Sequence, residues 1–312
     1  MKCAIVAGGN GLIGRALVSE LANAHIPVLV LGSSKNIHNK LSDLKNTEID
    51  YYQLPRGEDW LSETIHALKN KALPHDSVFF NLAWRGKETL VDGDIAEQLK
   101  NVGLSCELVK LAKGVGAKKY VAAGSMEEVI LDRLIKGEFW LTGNQAIYPN
   151  WYGLAKFSAR MQSAFEAYQH QIDFCYAKIS IVIDKSLQTQ KYVEGSLKRL
   201  LKEPFLPIPK NREICNISSS EEIARQLLAI GKCGLNKRKY ILGTGEAGSL
   251  YDHFARFARI AHPELNLPTT NHSAEINILE KNDFRTKYLV EDTGYKPIET
   301  VESLFREIAG TL

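Results

Sequence analysis

A tyrosine and a lysine four residues apart, Tyr152 and Lys156 in WYGLAK, share one face if that segment is helical. Upstream, Ser125 in AAGSMEE closes a run of strand-forming residues. A phenol beside an ammonium can give or take a proton, because the cation favours phenolate and draws the tyrosine pKa down from about 10. A serine hydroxyl aimed at the same oxygen would stabilise developing charge, an effect of the order of 10²-fold in rate. Together the three suit hydride transfer at a carbonyl, where one proton must move at oxygen. Taken singly, each has a plainer reading as an exposed helix pair or a serine after a strand.

A nucleotide-binding turn upstream ties the three together. The chain opens MKCAIVAGGNGLIGRALVSEL, an apolar run that meets Gly8, Gly11 and Gly14 before a helical pattern starts. A helix N-terminus offers unpaired N–H groups and the positive end of the dipole, which is what a pyrophosphate needs. In that context Gly8 permits the tight turn, Gly11 the close approach of backbone to phosphate, and Gly14 the packing of helix against sheet. Asn10, Leu12 and Ile13 complete the turn as cofactor contacts. The next strand ends Gly32-Ser33-Ser34-Lys35. A carboxylate there would hold the ribose hydroxyls of NAD. Two hydroxyls and an ammonium suit a 2′-phosphate instead, so NADP is expected ahead of NAD, with a solvated loop as the alternative.

These residues need a scaffold, and the pattern around them supplies one. Strand-like runs at 3–7, 27–32, 49–54, 76–84 and 118–125 alternate with helical patterns at 15–25, 60–70 and 95–116. Such rotation predicts an α/β fold, a doubly wound parallel sheet of Rossmann type with right-handed crossovers. Ser125 then falls at the carboxyl edge of the sheet, where ligands bind. A helix at 152–170 and a strand at 174–183 follow. A proline-rich loop at 201–212, a capped helix at 218–231, a short strand at 239–245 and an amphipathic tail at 293–310 suggest a smaller lobe. The expected division is a Rossmann domain over 1–184 and a substrate-binding lobe over 185–312 that shares elements with it.

Composition narrows the classes. In 312 residues, 39 Lys and Arg against 36 Asp and Glu leave a net charge of +3, too weak a bias to imply nucleic acid. No apolar run approaches a membrane span, and the first residues enter a strand directly, which predicts a cytoplasmic protein without a membrane partner. The five cysteines form no CxxC pair and read as small buried hydrophobes, and no metal site is expected.

With these residues in place, the chain resembles the extended short-chain dehydrogenases/reductases, the family of nucleotide-sugar epimerases, dehydratases and reductases. The resemblance rests on AGGNGLIG, NLAW at 81–84, Asn101 in KNVG, Ser125, and Tyr152 with Lys156. Softer matches are LKEPFLPIPKNREICNI and the closing TGYKP. It implies that Tyr152 is the acid/base, that Lys156 holds the ribose and lowers the phenol's pKa, and that Ser125 orients substrate. It also implies that Leu82, Ala83, Trp84, Asn101, Ile179 and Ile181 line the cofactor, and that relatives pair as homodimers through the helices carrying Asn101 and Tyr152.

Four departures from the family pattern bear on the reaction. Dehydratases carry an Asp-Glu pair after the Ser/Thr, and this chain has Met126-Glu127. A thioether cannot protonate a leaving hydroxyl, so dehydration is not expected. Glu127 or Glu128 remains open as a base or substrate acceptor, or as a capping carboxylate. Ile181 stands where relatives often have an asparagine on the sugar diphosphate, and no arginine appears in TTNHSAEINIL. The pocket-crossing segment has Ser218 to Ser220 in place of aspartates but keeps Arg212, whose guanidinium would fork onto a diphosphate or else sit at the surface. Arg85 is a further candidate for an anionic substrate, and Trp151 either shapes the pocket or packs in the core. The expected activity is NADP(H)-dependent reduction of a nucleotide-diphosphate sugar at a keto group. The alternatives are an NAD-dependent 4-epimerase using the same residues and a non-catalytic NADP-binding sensor or scaffold.

Overall fold

A computed structural model describes residues 1–33, 49–71, 73–86, 95–137, 151–188, 191–203, 207–208, 213–264 and 278–311. Its first element, β1 (Cys3–Ala7), is fully buried, and its side chains divide by the two-residue period of a strand. Ala4 and Val6 join one core, while Ile5 and Ala7 join another. The same split recurs in β4 (Ser77–Asn81), where Val78 and Phe80 face one way and Phe79 the other. A strand apolar on both faces belongs inside a sheet covered by helices on both sides.

That sheet has seven parallel strands. With β2 (Val28–Gly32), β3 (Ile49–Gln53), β5 (Lys119–Ser125), β6 (Asp173–Ile179) and β9 (Lys239–Leu242), its order is β3-β2-β1-β4-β5-β6-β9. One face is covered by α1 (Leu12–Asn23) and α7 (Ser220–Cys233), through Leu17, Val18, Leu21, Ile223, Leu227 and Ile230. The other is covered by α2 (Trp60–Lys69), α3 (Ile95–Gly114) and α5 (Trp151–Gln169). The Rossmann architecture expected from the alternation is therefore the observed one.

The strand expected over 174–183 is two strands. Ser180 breaks it, and its hydroxyl accepts the Asn216 N–H at 3.2 Å. Beyond the break, β7 (Ile181–Ile183) leaves the main sheet for a second one of order β10-β8-β7, built with β8 (Ile214–Ser219) and β10 (Ala247–Ser249). This smaller sheet is backed by α6 (Tyr192–Lys202), α8 (Leu250–Ala261) and α10 (Val301–Thr311). Their apolar stripes meet in a separate core of Leu197, Leu200, Phe254, Phe257, Leu304 and Phe305. The chain then threads back, because β9 adds to the main sheet beside β6. Two further α-helices, α4 (Glu127–Ile135) directly after β5 and α9 (Lys287–Thr293), and a 3-10 turn at Lys281–Phe284 complete the described residues.

The expected capping of the helix after 218 is present: Ser219 is the N-cap of α7 and its hydroxyl accepts from the Glu222 N–H. Cys3, Cys175 and Cys215 are buried, Cys106 is half-buried, and Cys233 is exposed. No described helix is long and apolar enough to cross a membrane.

Candidate active site

The glycine turn is shaped by contacts that a side chain would break. Gly8 has a φ of +83°, and a Cβ on it would lie 2.7 Å from backbone atoms of Leu82 and Ala83. A Cβ on Gly14 would lie 2.2 Å from the Gly8 carbonyl oxygen, so this glycine closes the turn on itself as well as bringing helix to sheet. A Cβ on Gly11 would meet only that oxygen, at 3.5 Å, which leaves its outer side open. Gly11 is also the N-cap of α1 and supplies no side-chain cap. The result is a bare helix N-terminus at the carboxyl edge of β1, which fits a dinucleotide pyrophosphate. Asn10, Leu12 and Ile13 are half-buried around it.

Ser33 is exposed at the end of β2, and the preceding Gly32 carbonyl accepts the Tyr51 hydroxyl at 2.9 Å. Among the described residues just past β2 and β3, namely Ser33 and Leu54, there is no carboxylate. Ser34 and Lys35 lie outside the described residues.

The exit of β4 forms the second wall and is held from three directions. Asn81 donates to the Tyr120 hydroxyl at 2.7 Å and accepts from the Ala83 N–H at 3.1 Å. The Trp84 indole donates to Gln98 at 3.0 Å. Asn101, 2% exposed, accepts from the Arg85 N–H at 2.8 Å and donates to the Arg85 carbonyl at 2.6 Å. Its amide is thereby committed to holding the main chain of 82–85, so its effect on a cofactor runs through that loop. Asn101→Ala leaves both Arg85 groups without these bonds and is expected to cost about 1–3 kcal/mol of stability. It should also weaken dinucleotide binding. Thermal melting and cofactor titration check this, and wild-type values in both would show that the loop needs no clamp.

Ser125, Tyr152 and Lys156 converge where β5 ends and α5 begins. The Ser125 hydroxyl lies close enough to the Tyr152 phenol to lower its pKa. The Tyr152 ring meets Trp84 edge-on at 5.9 Å between centroids. Lys156 is 6% exposed, and its ammonium donates to the Ala123 carbonyl at 3.1 Å and lies 3.8 Å from the Trp84 ring centroid. The expectation of a phenol drawn down by this lysine is corrected. Burial pushes the Tyr152 pKa up, the Ser125 hydroxyl only partly offsets it, and the charges of Glu127 and Glu128 add to the rise. The lysine faces the indole and a main-chain carbonyl instead, and its own pKa is pushed down to about 8 by burial.

The remaining candidates separate. Arg85 is exposed at the mouth of the β4 exit. Met126 is 3% exposed, with its N–H donating to Ile179 at 3.0 Å, so its side chain packs inside rather than facing a ligand. Glu127 is half-buried and its N–H donates to the Ser125 hydroxyl at 3.2 Å. Glu128 is wholly buried, which corrects its reading as a base or substrate acceptor. Ile179 is the register partner of Ser125 and is buried, whereas Ile181 stands half-buried on the second sheet. Trp151 is 46% exposed, so it does not pack in the core. Arg212 lies outside the described residues.

The model of the NAD dependent epimerase/dehydratase family matches residues 4–202. The chain belongs to that family. No curated protein matches it. Among solved structures, it is similar to the dTDP-glucose 4,6-dehydratase of Bacillus anthracis in complex with NAD, at 16% identity and a TM-score of 0.72, covering 99% of this chain and 96% of that one. It is similar to the enzyme WbmF of Bordetella bronchiseptica in complex with NAD+ and UDP, at 18% identity and a TM-score of 0.69, covering 99% and 91%. It is also similar to the UDP-glucose 4-epimerase of Thermotoga maritima with UDP-glucose, at 16% identity and a TM-score of 0.66, covering 98% and 97%. At such identities the likeness is one of fold.

Within this epimerase/dehydratase scaffold, several residues that shape the site carry no sequence signal of their own. Gln98 and Tyr120 act on the β4 exit from two other elements. Tyr176 lies across Gly124, where a Cβ would come within 2.2 Å of its ring. The bare Gly124 beside Ser125 is the one visible trace of that ring in the local sequence.

Proposed function

We propose that this protein reduces a keto group, at C4, of a nucleotide-diphosphate sugar with NADP(H). The observation that carries the reading is the convergence of Ser125, Tyr152 and Lys156 where β5 ends and α5 begins, with the Trp84 ring against both Tyr152 and Lys156. Such a set can move a proton at a carbonyl oxygen. Net reduction is preferred to epimerisation because the sequence at the end of β2 reads Gly32-Ser33-Ser34-Lys35, with no carboxylate to retain NAD.

A nicotinamide cofactor, when bound, would supply the hydride for the carbonyl carbon. The Gly8–Gly14 turn, the main chain of Leu82, Ala83 and Trp84, and Lys156 are the residues that would hold it. Tyr152 delivers the proton at the carbonyl oxygen, and Ser125 donates a hydrogen bond to the same oxygen. Met126 offers no proton for a leaving hydroxyl, which disfavours dehydration. The absence of a carboxylate just past β2 and β3 among the described residues, with a serine exposed at the end of β2, supports NADP over NAD. The nucleotide-sugar substrate is supported by the UDP and UDP-glucose held by the Bordetella and Thermotoga neighbours. Arg85 and Arg212 are the candidates for its phosphates. A homodimer is supported by apolar side chains exposed on α3 and α5, among them Leu99 at 64% and Phe165 at 64%.

Mass spectrometry of gently purified protein, followed by NADPH titration, tests this. The expected result is a site that takes up NADPH, with absorbance falling only when a keto sugar nucleotide is added. Tightly retained NAD, with interconversion of sugar epimers and no net consumption, would establish the 4-epimerase instead. NADPH binding without turnover of any keto sugar nucleotide would point to a sensor.

A further inference from the structure

Beneath Ser125 lies a group of buried charges that no step of the reduction uses. Glu128, on the first turn of α4, is 0% exposed. One carboxylate oxygen accepts the main-chain N–H of Ser125 at 2.9 Å and also the Tyr176 hydroxyl. The other lies 2.9 Å from Arg160 Nε. Arg160, on α5 one turn after Lys156, is also hydrogen-bonded to Asp132 at 3.1 Å. Lys178, on β6, meets the other oxygen of Asp132 at 3.2 Å. A buried carboxylate lacking such partners would take up a proton or destabilise the fold, and here a main-chain N–H, a phenol and a guanidinium surround it.

We infer that Glu128 is a positioning residue of the Ser125–Tyr152–Lys156 site, fixing the Ser125 main chain with its carboxylate and acting on both proton-bearing groups with its charge. The inference rests on the reading of those three residues as the catalytic set. The first half is geometric. Ser125 is the last residue of β5, and its N–H is anchored by the side chain that begins the next helix. Gly124 allows the Tyr176 ring to lie across the strand and reach the same carboxylate. The second half follows from charge in a dry site. Glu128 raises the proton affinity of Tyr152, and it raises that of Lys156 against the effect of burial. The groups that meet Glu128 in contact or through charge are Tyr152, Lys156 and Arg160 from α5 and Tyr176 and Lys178 from β6, with Asp132 one turn further along its own helix. Among the described residues that bear on Tyr152 or Lys156 electrostatically, Glu128 is the one that raises both.

The test is Glu128→Gln, which keeps shape and removes charge, beside Glu128→Asp, which keeps charge and shortens reach. With less negative potential, both Tyr152 and Lys156 lose protons more easily. The alkaline limb of the pH–kcat profile for reduction should therefore move to lower pH by at least about half a unit in the Gln variant. In the Asp variant the limb should stay in place while kcat falls, since the Ser125 anchor is lost. A limb that stays put in a folded Gln variant overturns the inference, as does a wild-type kcat in the Asp variant. The Asp arm remains decisive if the Gln variant does not fold. A readout independent of turnover separates this inference from the reductase reading. The ε-carbon resonance of Lys156, assigned by its loss in Lys156→Met, should titrate at lower pH in the Gln variant than in wild type. If that shift appears and no keto sugar is reduced, the reductase reading fails and the electrostatic role stands. If reduction is normal and Lys156 titrates as in wild type, the electrostatic role fails alone.

Discussion

Tyr152→Phe is expected to slow reduction of a keto sugar nucleotide by about 10²–10⁴-fold, the range for losing a positioned general acid. NADPH affinity should stay close to wild type. The substitution removes one hydroxyl and keeps the ring, so the edge-on contact with Trp84 survives. What disappears is the proton that the phenol holds beside the Ser125 hydroxyl. Steady-state kinetics and fluorescence titration of NADPH measure the two quantities separately. A variant that keeps more than about a tenth of wild-type turnover would show that another group moves the proton. A variant losing cofactor affinity in proportion to rate would show that the hydroxyl holds the dinucleotide rather than acting on substrate.

The parts of this site that were legible in the sequence are those in which local backbone geometry dictates residue type. The glycine turn is visible because Gly8 must adopt a positive φ and Gly14 must accept a carbonyl at a distance no Cβ tolerates. The Tyr152–Lys156 pair is visible because helical periodicity alone puts the two residues on one face. The first five strands are visible because strand-forming runs alternate with amphipathic helical patterns, even where, as in β3, the strand is only half-buried.

What was not legible depends on segments meeting whose local patterns carry no information about each other. The ion pair of Glu128 with Arg160 joins α4 to α5, two helices separated by residues 136–150 in sequence. Each residue alone reads as an ordinary helix charge. The break at Ser180 is equally silent, because FCYAKISIVI reads as a single strand-forming run and only the second sheet decides where it divides. The protonation of Tyr152 belongs to the same class. Spacing places an ammonium near a phenol, but burial and the carboxylates of α4 determine which way the pKa moves. The helices α6 and α8 are intermediate. Leu250, Phe254 and Phe257 have helical spacing, yet their role in a second core emerges only once the smaller sheet exists.

Lys156→Met should have the opposite effects on stability and on activity. In the folded chain the lysine is 6% exposed and its pKa is pushed down to about 8, whereas the free side chain titrates at 10.5. Below about pH 8 it is charged in both states, and the folded state carries the full cost of burying the ammonium. A difference of that size is worth roughly 3 kcal/mol as an upper bound. The Trp84 face at 3.8 Å and the Ala123 carbonyl at 3.1 Å offset part of that cost. Between about pH 8 and 10.5 the unfolded chain binds the proton and the folded chain does not, so wild-type stability rises with pH through that window. Methionine has similar volume and no charge, so the cofactor-free variant should melt higher than wild type at neutral pH. The gap should narrow as pH rises towards the free value. Paired melts near pH 7 and pH 10, each variant against wild type in the same buffer, give the result. A variant less stable than wild type at neutral pH, or a gap that does not change with pH, would mean that the ammonium is not strained by burial. Under the proposed function turnover should nevertheless collapse, since the cation assigned to holding the cofactor is gone. A lysine that weakens the fold and is retained for its charge is what a group serving catalysis, rather than packing, should look like.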